Sequence, residues 1–126
     1  MNQNTLAPSE KEILRLYSEE ETESCFGADL EFGTAGIRGV MGLGTNRMNI
    51  YVVRQTTQGL AQYINKHYKA PSVAIAYDSR NNSELFAKET ASVLAANGIK
   101  VYIFRELMPV PSLSFAVRAL SCSAGV

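Results

Sequence analysis

The sequence predicts an α/β protein: a three-layer α/β/α sandwich on a mixed sheet of about four strands, the last of them cut short. Three observations predict it. Two short apolar runs, Val73–Tyr77 and Ile99–Phe104, alternate with segments of helical length and helical apolar spacing. A glycine-rich stretch, Glu31–Asn49, separates this alternation from a charged N-terminal segment. At 126 residues, with 46% apolar and 19% charged side chains, the chain is large enough for one core and too short for two. Residues 1–126 therefore read as a single domain, an N-terminal helical segment (1–30) leading into an α/β core (31–126).

Ser9 and Glu12 have the spacing of a capping box, and Ile13, Leu14, Leu16 and Tyr17 follow, so a short amphipathic helix is expected to start at Ser9. The acidic run Glu19, Glu20, Glu21 and Glu23 reads as a solvated face or loop in preference to a cation site. Glycines at 33, 36, 39, 42 and 44 exclude regular helix there, because each costs a helix about 1 kcal/mol relative to alanine. Short strands, bulges and turns in close backbone approach are expected instead. Asn49 is a good N-cap for a helix whose Ile50, Val53, Leu60, Ala61 and Ile64 share a stripe. Lys66, His67 and Lys69 suit its negative end, and Pro71 forbids continuation.

Val73–Tyr77 is unbroken in its apolar character, which suits a strand covered on both faces. Asn81 or Ser83 can cap the following helix, which carries Phe86, Ala87, Val93 and Leu94 and stops at Asn97–Gly98. After the strand Ile99–Phe104, a helix from about Ser112 to Leu120 follows Pro109 and Pro111. Ala124–Val126 begins another buried strand, which reads as the start of a truncated one. Such an unfinished strand makes self-association plausible.

Twelve basic and twelve acidic side chains cancel, which argues against bulk electrostatic binding to nucleic acid or to an anionic membrane. Without an apolar run of membrane-spanning length or a signal-peptide pattern in Met1–Ser9, a cytoplasmic protein is expected. Cys25 and Cys122 are far apart and lack neighbours at metal-ligand spacing, so reduced thiols are expected rather than zinc or a disulfide.

Ligands of open α/β sheets gather beyond the carboxyl ends of the strands, which selects Asp78, Ser79 and Arg80. A guanidinium there can fork onto phosphate while a carboxylate holds it; a structural turn with a surface ion pair is the competing reading. Thr34, Arg38 and the amides of Gly33–Gly39 can cradle an anion, against the alternative of a hairpin that needs glycine for its turns. The stretch is neither a P-loop nor a dinucleotide fingerprint, since no Gly-Lys-Ser/Thr and no Gly-x-Gly-x-x-Gly at a strand-helix junction is present. His67, among lysines at a helix end, reads as a solvated or dipole-stabilising group, and Ser121 and Ser123 have no identifiable base.

Glu31-Phe32-Gly33-Thr34-Ala35-Gly36-Ile37-Arg38-Gly39 resembles the opening signature of the α-D-phosphohexomutases, the phosphoglucomutase and phosphomannomutase group. Asn46-Arg47-Met48-Asn49, Tyr77-Asp78-Ser79-Arg80 and Pro109-Val110-Pro111 followed by Ser114-Phe115-Ala116 resemble further family segments in the same order. Ala35 stands where phosphoglucosamine mutases usually carry an acid, which favours the phosphoglucomutase and phosphomannomutase branch.

The resemblance implies an incomplete first domain of an enzyme that interconverts hexose 1-phosphates and 6-phosphates through a phosphoserine and a bisphosphate, with magnesium assisting. It places the phosphoserine beyond Val126 and the magnesium ligands in later domains, so this chain by itself is expected to be inactive. It assigns Thr34, Arg38 and Arg80 to phosphate or substrate binding, and hexose phosphates as partners of the whole enzyme. Phosphopentomutase of the same family and a non-catalytic phosphate-binding module are the alternatives. Val110 departs from the family's usual threonine. It cannot accept a capping bond, a loss of about 1 kcal/mol unless Ser112 takes over the cap.

Overall fold

The computed structural model describes residues 6–126 except position 35. Ala35, on which the expected branch of the family rests, and residues 1–5 of the expected helical segment lie outside the described residues. The chain divides into two compact units, one ending at Val52 and the other running from Val53 to Val126.

In the first unit, helix α1 (Pro8–Arg15) has Ala7 at its cap, two residues before the expected Ser9. Proline sets the start: its fixed φ suits the first helical position and it has no N–H to satisfy. The Ala7 N–H donates to Glu10 Oε2 at 2.8 Å, so Glu10 performs the role expected of Glu12. The acidic run lies on a second helix, α2 (Glu19–Phe26), where Glu19, Glu20, Glu21 and Glu23 are exposed, so it forms the solvated face of the two expected forms and not the loop. Ser18 Oγ accepts from the Glu21 N–H at 3.1 Å and Glu21 Oε2 accepts from the Ser18 N–H at 2.8 Å. Acids in the first turn suit the positive end of the helix dipole, and the helix buries Cys25.

The glycine-rich stretch has the expected texture. Strands β1 (Phe32–Gly33) and β2 (Gly36–Ile37) form an antiparallel hairpin in which Gly33 faces Gly36 and Phe32 faces Ile37. Beyond it, Met41 and Met48 form an isolated bridge. Gly44 has φ 128°, and a Cβ there would overlap the Cys25 carbonyl. The Leu30 N–H donates to the Thr45 carbonyl at 3.1 Å, which closes the loop.

Helix α3 (Ile50–His67) starts at the expected cap: Asn49 Oδ1 accepts from the N–H groups of Tyr51 and Val52 at 3.1 and 3.0 Å. At its far end, His67 Nδ1 lies 2.7 Å from the Tyr63 carbonyl.

The second unit holds the parallel sheet. Strands β3 (Ser72–Ile75), β4 (Lys100–Ile103) and β5 (Ala124–Gly125) alternate with helices α4 (Ser83–Ala96) and α5 (Val110–Ala119). The strand order is β4-β3-β5, with Val73 opposite both Val101 and Ala124. Val73 and Ile75 point to one face and are buried with Ala61 and Ile64 of α3 and Ala87 and Leu94 of α4. On the opposite face, a Cβ at Gly125 would meet Leu113 and Val117 of α5. Helices thus cover both faces of the sheet, which is the expected three-layer order.

The sheet differs from expectation in two respects: it has three strands among the described residues where about four were expected, and it is not mixed. Its three strands are all parallel, and the antiparallel pairing belongs to a separate two-stranded ladder, β1-β2. Each strand of that hairpin is only two residues long, and each pairs with the other.

Helix α4 is capped by neither Asn81 nor Ser83. Asn82, at φ 65°, stands at the cap without a side-chain bond. The expected stop holds, since α4 ends at Ala96 and Gly98 takes φ 75°. Helix α5 starts at Val110 after Pro109, with no side-chain cap, so Ser112 does not take over the capping bond. Cys25 and Cys122 are free thiols, the first buried and the second partly so.

Candidate functional site

Parallel pairing brings the carboxyl ends of β3, β4 and β5 to one rim of the sheet. The chain leaving β3 is held there by its neighbours. The Phe104 N–H donates to the Ile75 carbonyl at 3.2 Å, and the Met108 N–H to the Tyr77 carbonyl at 3.1 Å. On the other side, the Ala76 N–H donates to the Val126 carbonyl at 2.9 Å. Asp78 therefore sits on backbone fixed from both flanks.

Three bonds converge on the Asp78 carboxylate. Its Oδ1 accepts from Ser83 Oγ at 2.7 Å and from the Arg80 backbone N–H at 3.0 Å; its Oδ2 accepts from Arg80 Nε at 2.7 Å. The Ser83 hydroxyl, followed by the Arg80 amide, holds the Asp78 carboxyl below the usual aspartate range, because both donate to its charged form. The left-handed Asn82 turns the chain so that Ser83, the first residue of α4, reaches back to Asp78.

Beside this network lies an open hollow of about 460 Å³, lined by Asp78, Ser79, Arg80, Asn82, Ser83 and Leu107 among others. The Arg80 side chain is 85% exposed, so its ion pair with Asp78 contributes little to stability. Its geometry matters more. Nε is engaged by Asp78, which leaves the two terminal nitrogens as the edge that can fork onto an anion. The surface ion pair of the structural reading and the oriented guanidinium of the functional one are the same contact. Ser83, which completes the network, was legible in the sequence only as a capping candidate.

Thr34 and Arg38 belong to the first unit. Thr34 is exposed in the turn after β1, and Arg38 is exposed directly after β2. The hairpin places Thr34 at its tip and Arg38 at its base, and Gly33 and Gly36 between them pair with each other. Downstream of Arg38, the Val40 carbonyl accepts from the Met48 N–H at 2.8 Å and the Gly42 N–H donates to the Met48 carbonyl at 3.3 Å. A Cβ at Gly39 would strike the Leu30 side chain, so this segment lies flat against its neighbour.

Residues 29–126 match the sequence model of the family described as phosphoglucomutase/phosphomannomutase, alpha/beta/alpha domain I. The chain belongs to this family. A phosphoglucomutase of Staphylococcus saprophyticus is 46% identical over 116 residues, which cover 92% of this chain and 21% of that protein. A phosphoglucomutase of Staphylococcus aureus is 41% identical over 116 residues, again 92% of this chain and 21% of the relative. A phosphopentomutase of Homo sapiens is 38% identical over 125 residues, 92% of this chain and 20% of the relative. The chain therefore spans about a fifth of the length of these relatives. No solved structure matches.

The family resemblance implies magnesium, and the carboxylates on the rim do not fit it. Asp78 is taken up by Ser83 and Arg80, and Glu84 pairs with Lys88 at 2.7 Å. Among the described residues, no group of three or more His, Cys, Asp or Glu is placed to hold a metal ion. No helix among the described residues is long and apolar enough to cross a membrane.

Proposed function

We propose that this chain is the incomplete first domain of a sugar-phosphate mutase that interconverts hexose 1-phosphate and hexose 6-phosphate. The observation that carries the reading is the family match over residues 29–126, together with a relative named phosphoglucomutase at 46% identity. In this reading a phosphoserine carried beyond Val126 gives its phosphoryl group to the bound sugar monophosphate. The resulting bisphosphate turns over and returns its other phosphate to the serine.

The geometry of the rim supports this reading. Strands β5 and β3 are parallel, so their carboxyl ends share the edge on which Asp78 orients Arg80. Arg80, Arg38 and Thr34 are assigned to phosphate binding. Catalysis on a transferring phosphoryl group is largely positioning and charge stabilisation, the work for which arginine is suited. Magnesium, in this reading, is held by residues outside this chain, and the enzyme is cytoplasmic. The 126 residues alone are inactive because they lack the nucleophile.

A second reading within the family, phosphopentomutase, is favoured by the 38% identity to the human protein of that name. The test is to read the coding frame beyond Val126 for a Thr-Ala-Ser-His-Asn-Pro segment and to assay the complete protein with glucose 1-phosphate and ribose 1-phosphate. Turnover of glucose 1-phosphate, lost on replacing that serine by alanine, is the expected result. Preference for the pentose phosphate selects the second reading. Turnover by the isolated 126 residues overturns the claim that the nucleophile lies elsewhere, and ligand binding without turnover by the complete protein points to a non-catalytic module.

A further inference from the structure

Asn49 does more than cap α3. The residue is 8% exposed, and both ends of its amide are in use. Oδ1 accepts the two first-turn N–H groups of α3. Nδ2 faces three backbone carbonyls, those of Gly42 at 2.8 Å, Gly44 at 2.9 Å and Arg47 at 3.2 Å. Only an amide meets both demands. Aspartate caps as well but would turn an acceptor toward three acceptors; serine caps but donates a single proton over a shorter reach.

Those carbonyls belong to the loop that pins the arginine-bearing segment. Gly42 and Val40 are bonded to Met48, the residue next to Asn49, and Val40 is two residues from Arg38. Across the same loop, Thr45 binds Leu30, against which Gly39 packs. We propose that Asn49 is a positioning residue for Arg38: its buried amide locks residues 39–48 onto the start of α3 and so fixes where the guanidinium is presented. The kinetic part of this proposal rests on the mutase reading; the structural part does not.

Two measurements on Asn49→Asp in the complete protein test it. In hydrogen exchange, the Gly42 and Met48 amides are expected to exchange about tenfold faster or more, while core amides of the parallel sheet keep their rates. In kinetics, kcat/KM is expected to fall on the order of 10–100-fold, as for a displaced binding contact, and Asn49→Asp is expected to add little loss once Arg38→Ala is already present. Additive losses in the double variant overturn the link to Arg38, and exchange that rises uniformly through the chain overturns the local role. Should Asn49→Asp fail to fold, Asn49→Ser, which keeps the cap, takes its place; failure of both makes Asn49 a folding residue and ends the proposal. If the unsubstituted protein lacks mutase activity, the functional reading fails, and the exchange rates still decide whether the amide holds the loop.

Discussion

The Asp78 carboxylate accepts three hydrogen bonds, from Ser83 and twice from Arg80. Its folded-state pKa is lowered, so the stability it contributes is complete above the ordinary aspartate value of about 3.9 and is lost as pH falls through the lowered one. A carboxyl-carbon NMR titration should place the Asp78 midpoint below the ordinary value. Ser83→Ala should move it upward, because the Ser83 bond is the largest cause of the shift. An Asp78 midpoint indifferent to Ser83 would remove the network. Gly44 makes a different demand on its position. With φ 128° and the Cys25 carbonyl where a Cβ would stand, Gly44→Ala carries backbone strain of about 1–3 kcal/mol before any clash is counted. Chemical denaturation should register at least that loss; an unchanged midpoint would mean that the loop re-forms without cost.

At the level of elements, α2 depends on its N-terminal box. Ser18→Ala removes the acceptor for the Glu21 N–H and should cost about 1 kcal/mol, read as faster amide exchange through the first turn of α2. The Glu21 carboxyl is held below its usual range by the Ser18 backbone N–H and then by the Ser18 side chain. The sequence pattern Ser18-x-x-Glu21 carried this signal, but the density of charge around it left a solvated face and a loop equally open. Elements with a strong apolar period were legible: α3 with its Asn49 cap, α4 with its Gly98 stop, and the strands around Val73 and Val101. What the sequence left open were starts decided by backbone geometry. Proline pulled α1 forward to Pro8 and α5 forward to Val110, and a left-handed Asn82, a conformation asparagine tolerates but the sequence does not distinguish from Asn81, set the start of α4. The same holds for the site. Strand-end position picked out Asp78 and Arg80, whereas the bond from Ser83 arises only once Asn82 has turned the chain.

For the whole molecule, the sheet of the second unit has β4 and β5 as its outer strands, each bonded on one side among the described residues. Outer strands with free backbone groups invite pairing between chains. The purified 126-residue chain is therefore expected to gain mass with concentration in light scattering, and a monomer at every concentration would refute this. Leu94, fully buried between α4 and the sheet, anchors the core of that unit; Leu94→Ala should cost about 2–5 kcal/mol in thermal or chemical unfolding. The unequal cover of the two cysteines has a practical consequence. Cys25 is sealed beneath the Gly44 loop at 7% exposure, while Cys122 stands partly open just ahead of β5. A maleimide dye applied to the native protein should mark Cys122 first, giving a fluorescent reporter at the foot of the outer strand without any engineering, and later labelling of Cys25 would time the opening of the glycine loop.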